Sequence, residues 1–140
     1  MLKNNRQYMI EWGDCDPAGI VYYPRYFEMF DHSTTLLISA ASGLTKYELL
    51  KKYDFAGYPM VDTRAKFMIP TKFGDMVTIE SEFTKVGTSS FDVHHGIYKD
   101  GRLCLEGFET RVWVGRDPVD PDKIKAKPLP NDLAAKFRAE

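Results

Sequence analysis

The sequence predicts an α+β domain in which one antiparallel sheet of about five strands wraps a single long helix. Three observations predict it. Residues 24 to 42 are apolar on most sides at helical period, with no formal charge between His32 and Lys46. Residues 59 to 114 alternate apolar and polar side chains in four segments separated by turn signals. One further alternating segment precedes the helix. A helix that apolar must be covered, and strands that follow one another without intervening helices supply a separate sheet to cover it.

Length and composition agree with one globular domain over residues 1–140, long enough for a core. Apolar residues make up 44% and charged residues 28%. A net charge of −1 gives no bulk attraction for nucleic acid. Cys15 and Cys104 do not make a disulfide framework. No run approaches the ~20 apolar residues that span a bilayer, and MLKNNRQYMIEW has no apolar stretch of signal-peptide length. The expectation is a soluble cytoplasmic protein, with neither nucleic acid nor membrane as partner.

Residues 6 to 12 read as the first strand, with Tyr8, Ile10 and Trp12 on one face. Residues 13 to 22, GDCDPAGIVY, form a loop broken by Gly13, Pro17 and Gly19; its apolar Ile20 and Val21 are expected to line something. The helix is predicted from Pro24, which fits its first position, to Ser42, with Gly43 as its C-terminal cap. Tyr26, Phe30, Leu37 and Ala41 make one stripe, with Phe27, Thr34 and Ile38 beside it. Packing rather than propensity must hold this β-branched helix.

Residues 45 to 53 read as a short surface helix, because Thr45 and Glu48 have capping-box spacing. The four later strands are predicted at 59–69, 75–86, 89–98 and 102–114. Their inner faces are read as Val61, Thr63, Ala65, Phe67 and Ile69; Val77, Ile79 and Phe83; Phe91, Val93, His95 and Ile97; then Leu103 and Leu105, followed by Phe108, Val112 and Val114. The last set changes parity near Gly107, which predicts a bulge there. Asp100-Gly101 is a hairpin signal. The Pro-rich tail is expected to cross the surface, and residues 131–140 to close as a short helix. A sheet of this kind leaves edge strands, which invite pairing with a second copy.

The loop carries the chemistry. It holds Asp14 and Asp16 near the positive end of a helix, an arrangement suited to a polarised carbonyl. Alone, Asp16 before a proline reads as a turn residue and Asp14 as the turn former that orients it. Tyr22 and Tyr23 read equally as interface aromatics and as the lining of an acyl pocket. Thiol chemistry at Cys15 is disfavoured by the flanking carboxylates. His94 and His95 alternate faces, and no Cys/His spacing suggests zinc.

The segment GDCDPAGIVYYPRYFEMFD resembles the active-site segment of 4-hydroxybenzoyl-CoA thioesterases among the hotdog-fold acyl-CoA thioesterases. YP at 58–59, KFGDMVTIE at 72–80 and FETRVWV at 108–114 fit the family's strands in order. The resemblance implies a hotdog fold, a homodimer that often pairs into a homotetramer, and hydrolysis of an aromatic or short-chain acyl-CoA. It implies no metal or organic cofactor, since coenzyme A is part of the substrate. It implies that Asp16 is the catalytic carboxylate and that the Tyr23 backbone N–H polarises the thioester carbonyl. Gly19, Ile20, Val21 and Tyr22 then line the site. Asp31 matches an acidic helix position that reaches the acyl pocket, against the alternative of a satisfied interface pair. Ser90, in the Gly87–Ser90 turn, matches a phosphate-binding serine. The arginines expected near it are absent, which leaves Lys72, Lys85 and Arg64 as candidates. The alternatives are a hotdog hydratase or dehydratase, a thioesterase for carrier-protein thioesters, and a non-catalytic acyl-CoA-binding module.

Overall fold

The computed structural model describes residues 1–140. Its strands are β1 (Lys3–Met9), β2 (Met60–Phe67), β3 (Met76–Val86), β4 (Ser90–Lys99) and β5 (Arg102–Val112). They form the expected five-stranded antiparallel sheet; its order is β1-β3-β4-β5-β2, with β1 and β2 at its edges. The sheet covers helix α1 (Tyr23–Ser42). Gly43, in the left-handed region at φ 72°, ends the helix and donates its N–H to Ser39 O. The helix begins one residue before the expected start, so Pro24 is its second residue; its missing N–H is still not needed there. The short helix α2 (Lys46–Lys52) has both bonds of the expected capping box, Glu48 N to Thr45 Oγ1 and Thr45 N to Glu48 Oε1.

Four expectations change. The first strand lies earlier than residues 6–12. After Met9 the chain leaves the sheet and residues Trp12–Asp14 make a 3₁₀ turn, closed by the Glu11 N–H donating to Asp14 Oδ2 at 2.9 Å. A short acidic side chain offers the backbone a local partner in place of the ladder. Trp12 therefore stands 77% exposed, edge-on to Phe73, instead of joining the inner face.

The second change concerns β5. Its inner face keeps one parity through Leu105, Gly107, Glu109 and Arg111 and on to Trp113, all buried. Phe108 and Val112 are on the other face and only half-buried, and Arg64 covers the Phe108 ring. The register shift falls opposite Ile97/Tyr98, at Cys104, not at Gly107. Gly107 has a different reason: a Cβ there would stand 2.4 Å from the Phe30 ring, so the helix approaches the sheet where no side chain intervenes.

The third change is in the tail, where β6 (Val114–Arg116) pairs with β7 (Ile124–Ala126). The closing helix α3 (Asn131–Arg138) is present and contributes to the core, with Phe137 stacked on Phe83 at 4.1 Å. Val61, Phe67 and Ile69, read as inner-face residues, are instead exposed: Val61 falls at a register shift between Met60 and Asp62, β2 ends at Phe67, and β2 is an edge with nothing beyond it.

The core is two apolar clusters. One joins Ile10, Val21, Tyr26, Phe30, Val77, Ile79, Ile97 and Leu105 at the end where the helix begins. The other joins Leu37, Ile38, Phe83, Phe91, Trp113 and the α3 residues at the opposite end. Between them runs a buried polar seam of Thr34, Ser81, His95, Glu109 and Arg111.

Candidate active site

The loop from Ile10 to Tyr22 is folded as a hairpin pinned mostly by backbone bonds. Cys15 bridges Val21, Asp16 N–H donates to Ile20 O, and Tyr22 N–H donates to Asp14 O. Val21 N–H donates to Thr71 O, which ties the hairpin to the connection between β2 and β3. Gly19, at φ 83°, makes the reversal that a side chain would strain. Asp14 is consumed by structure: its Oδ2 accepts from Tyr8 OH at 2.7 Å as well as from Glu11 N–H. Burial, then the Asp14 carboxylate, pushes the Tyr8 phenol up to about 12.

Asp16 differs. Its Oδ1 accepts from Ala18 N–H at 2.9 Å, an Asx turn, while Oδ2 has no hydrogen-bond partner in the chain. Tyr23 is the first helical residue, so its N–H has no helical acceptor. Pro24 has no N–H, and Arg25 N–H donates to Tyr22 O, so Tyr23 is the free donor of this turn. A carboxylate oxygen and an orphaned N–H thus flank the start of α1. Tyr22 and Tyr23 stand exposed beside them, with Ile20 on the hairpin tip and Lys72 paired next to Ile20. Val21 is buried in the core and backs the hairpin from within.

Ser90 and Asp31 lie elsewhere. The Gly87–Ser90 turn is at the far end of β3 from the hairpin, roughly 30 Å away along the strand. It is closed by Gly87 N–H to Ser90 O and held by Leu129 N–H to Thr88 O. Asp31 is about two helical turns beyond Tyr23. Its Oδ1 accepts from Arg111 Nη2 at 2.8 Å, near Tyr58. A single chain therefore does not bring Ser90 or Asp31 against Asp16.

The alternation reading places His95 inward but none of its charged partners. Arg111 donates Nε to Glu109 Oε2 at 3.1 Å, Nη2 to Glu109 Oε1 at 3.0 Å and Nη1 to Tyr58 O at 3.3 Å. Glu109 can only accept, so Thr34 OH donates to its Oε2. Thr34 Oγ1 then accepts from His95 Nε2, and His95 Nδ1 accepts from Ser81 OH at 2.7 Å. The ring is a neutral Nε2–H tautomer, stacked on Phe30 at 4.9 Å. Burial holds the imidazole below its ordinary value, against the opposing pull of Glu109. Burial also raises the Glu109 carboxyl, but the bonds from His95 and Arg111 outweigh it and hold it at about 2. A signal existed: Glu109 and Arg111 share the parity of Leu105 and Trp113.

The pattern of the thioesterase-like superfamily matches residues 10–137. The chain belongs to this superfamily. It is 28% identical over 131 residues to the 4-hydroxybenzoyl-CoA thioesterase of Pseudomonas sp. (strain CBS-3), covering 90% of this chain and 91% of that one. It is 23% identical over 138 residues to the acyl-CoA thioester hydrolase YbgC of Escherichia coli O157:H7, covering 92% and 91%. Among solved structures, a mutant 4-hydroxybenzoyl-CoA thioesterase complexed with 4-hydroxybenzoyl-CoA matches with a TM-score of 0.87, at 25% identity over 98% of this chain and 99% of that one. Gentisyl-coenzyme A thioesterase BH1999 matches with a TM-score of 0.82, at 28% identity over 96% and 99%. The superfamily's fold here is the hotdog fold, and its hydrolases act on acyl-CoA thioesters. No helix of this thioesterase-like chain is long and apolar enough to cross a membrane.

Proposed function

We propose that the protein hydrolyses an aromatic or short-chain acyl-CoA to the free acid and coenzyme A, with the Asp16 carboxylate as nucleophile or general base. The observation that carries this is the unpartnered Asp16 Oδ2 in a loop pinned beside the orphaned Tyr23 N–H. In the nucleophile route Oδ2 bonds to the thioester carbon and the carbonyl electrons move onto oxygen. They return as the C–S bond breaks, releasing CoA thiolate and leaving a mixed anhydride that water cleaves. In the general-base route Asp16 takes a proton from the attacking water and passes it to the thiolate. Either route builds an oxyanion, which the Tyr23 N–H stabilises at the positive end of α1. Gly19, Ile20 and Tyr22 border the thioester, and Val21 supports them.

The partner is a second copy. β2 is an unpaired edge carrying exposed Val61 and Phe67. Antiparallel pairing of two such edges sets the Tyr58 end of one copy against the helix N-terminus of the other. That pairing supports Asp31 as an acyl-group contact and Ser90 as a contact to the CoA phosphates, each serving the partner's Asp16. Pairing of dimers into a tetramer is part of the same reading. Two free cysteines fit a reducing compartment such as the cytoplasm.

The test is thiol release from benzoyl-, 4-hydroxybenzoyl-, phenylacetyl- and short straight-chain CoA thioesters, with wild type beside Asp16→Asn. The variant is expected to lose about 10²–10⁴-fold in kcat while still binding thioester. Activity surviving in Asp16→Asn removes the assignment. Binding without release by wild type favours a binding module. In single turnover in ¹⁸O-water, label in the Asp16 carboxylate establishes the nucleophile route, with water attacking the aspartyl carbon of the anhydride; attack at the acyl carbon labels the free acid, as the general-base route does.

A further inference from the structure

The end of the sheet beside the Ile10–Tyr22 hairpin carries an apolar patch that nothing in the chain covers. Met9 and Met76 are register partners on β1 and β3 and stand 54% and 46% exposed. Beyond them the two strands leave the ladder, and Trp12 meets Phe73 edge-on at 5.7 Å, with the rings 77% and 59% exposed. Single apolar side chains on a surface need no explanation, but a set of them rimmed by charge marks a contact site. Trp, Phe and Met are also the residues that interface centres concentrate. The rim is self-complementary. Glu11 precedes Trp12 and Lys72 precedes Phe73; both are exposed and neither forms an ion pair in the chain. Seating Trp12 of one copy on Phe73 of another therefore sets Glu11 against Lys72. A twofold axis repeats that contact, because residue i meeting residue j requires j to meet i. β1 and β2 are opposite edges of the sheet, so a dimer paired through β2 leaves this patch open. A lipid surface would call for an excess of cations, whereas here Glu11 offsets Lys72.

We propose that the Trp12/Phe73 patch is a twofold contact with a second copy of this chain, the surface through which one β2-paired dimer meets another. The inference deepens the reading of dimers that pair into a tetramer, and it rests on that reading. Its centre is the aromatic pair of each copy, flanked by Met9 and Met76 and closed by Glu11–Lys72 ion pairs across the axis. The contact also bears on the loop that holds Asp16. Trp12 opens the 3₁₀ turn leading into that loop, and its carbonyl oxygen accepts from Cys15 N–H. A Trp12 held between copies steadies the base of the hairpin.

Trp12 reports its own burial. The chain has 2 tryptophans, and Trp113 is 1% exposed and stacked on Phe55 at 3.8 Å, so the long-wavelength emission belongs to Trp12. Sedimentation velocity and tryptophan emission are followed on the full chain over a dilution series. The expected result is a tetramer that dissociates into dimers as the Trp12 emission moves to the red. Phe73→Ser, which keeps the fluorophore, is expected to raise the dimer–tetramer dissociation constant about 10²-fold or more. Glu11→Lys is expected to raise it about tenfold or more, and Glu11→Lys/Lys72→Glu to restore it. Restoration by the charge swap is a result that damage to the loop would not give. A tetramer unaffected by Phe73→Ser and Glu11→Lys, with Trp12 emission red throughout, overturns this contact and leaves the tetramer reading in place. A wild type that never exceeds a dimer overturns both. If the emission of that dimer moves to the blue with vesicles of phosphatidylcholine and phosphatidylglycerol, the patch belongs to a lipid surface instead.

Discussion

Asp16 sits half-buried in an open hairpin with one carboxylate oxygen free, whereas Glu109 is 3% exposed under the helix with both oxygens taken by Arg111 and Thr34, and His95 Nε2 3.3 Å away. The two side chains differ by one methylene, and their surroundings assign them opposite work. Asp16 keeps one oxygen without a partner, the oxygen that the proposed hydrolysis uses. Glu109 spends its lone pairs on holding other groups still. A carboxylate with unspent acceptors near an orphaned N–H is a candidate for chemistry; one with every acceptor filled belongs to the framework.

Crossed substitutions give the largest expected contrast. Asp16→Asn keeps the Oδ1 acceptor for Ala18, so stability is expected to stay within about 0.5 kcal/mol while turnover collapses. Glu109→Ala leaves Arg111 buried without its main partner and is expected to cost about 3–5 kcal/mol. Urea unfolding of the two variants checks both. A Glu109→Ala protein as stable as wild type would mean that water or rearrangement satisfies Arg111, and that the seam is not part of the framework.

Acid should act on Glu109. Its folded pKa is about 2, below the ordinary carboxylate value, so its contribution is complete above that ordinary value and is lost as pH falls toward 2. His95 adds to it with the same sign. Burial lowers its pKa, so below about 6.5 the unfolded chain takes a proton that the folded chain refuses. Stability is therefore expected to fall steadily from pH 7 to pH 3, at up to about 1.4 kcal/mol per pH unit for each proton. A Glu109→Met/Arg111→Met protein should show a flatter slope at the acid end. An unchanged slope would assign the acid sensitivity to other carboxylates.

The sequence made one of these carboxylates visible and hid the other for a physical reason. Asp16 stands in a run of breakers before an apolar helix, and local order is written in local residues. Gly19, Pro24, Gly43 and Asp100-Gly101 all sit where their backbone preferences place them. Sheet membership was legible from alternation, whereas the order β1-β3-β4-β5-β2 was not, because pairing is between distant segments. Reading Phe108 and Val112 as inner left Glu109 and Arg111 off the inner face, where charged residues are normally solvated. Their satisfaction comes from Thr34, Ser81 and His95, which are far away in sequence and on different elements. The assumed bulge at Gly107 was the cost of forcing Phe108 and Val112 inward. A glycine on the buried parity, between Leu105 and Glu109, records instead the close approach of Phe30. Gly107→Ala tests that reading directly. Its Cβ would overlap the ring, and about 1–3 kcal/mol of destabilisation is expected by thermal or urea unfolding. No loss would mean that α1 shifts freely, and that the seam's geometry is softer than its hydrogen bonds imply.

The smallest expected effect comes from the loop's own framework acid. Asp14 accepts from Tyr8 OH and Glu11 N–H, so it resembles Glu109 in role while standing two residues from Asp16. Tyr8→Phe removes one donor from a partly buried carboxylate that keeps its backbone bond and retains access to water. The expected cost is about 1 kcal/mol, with turnover lowered only a few-fold because the Cys15–Val21 bridge and the Tyr22–Asp14 bond still hold the hairpin. If Tyr8→Phe instead lowered turnover as far as Asp16→Asn, the separation between framework and reacting carboxylates would fail inside the loop. Asp14 would then share the chemistry rather than only position it. A few-fold change keeps the two roles on separate acids within one loop.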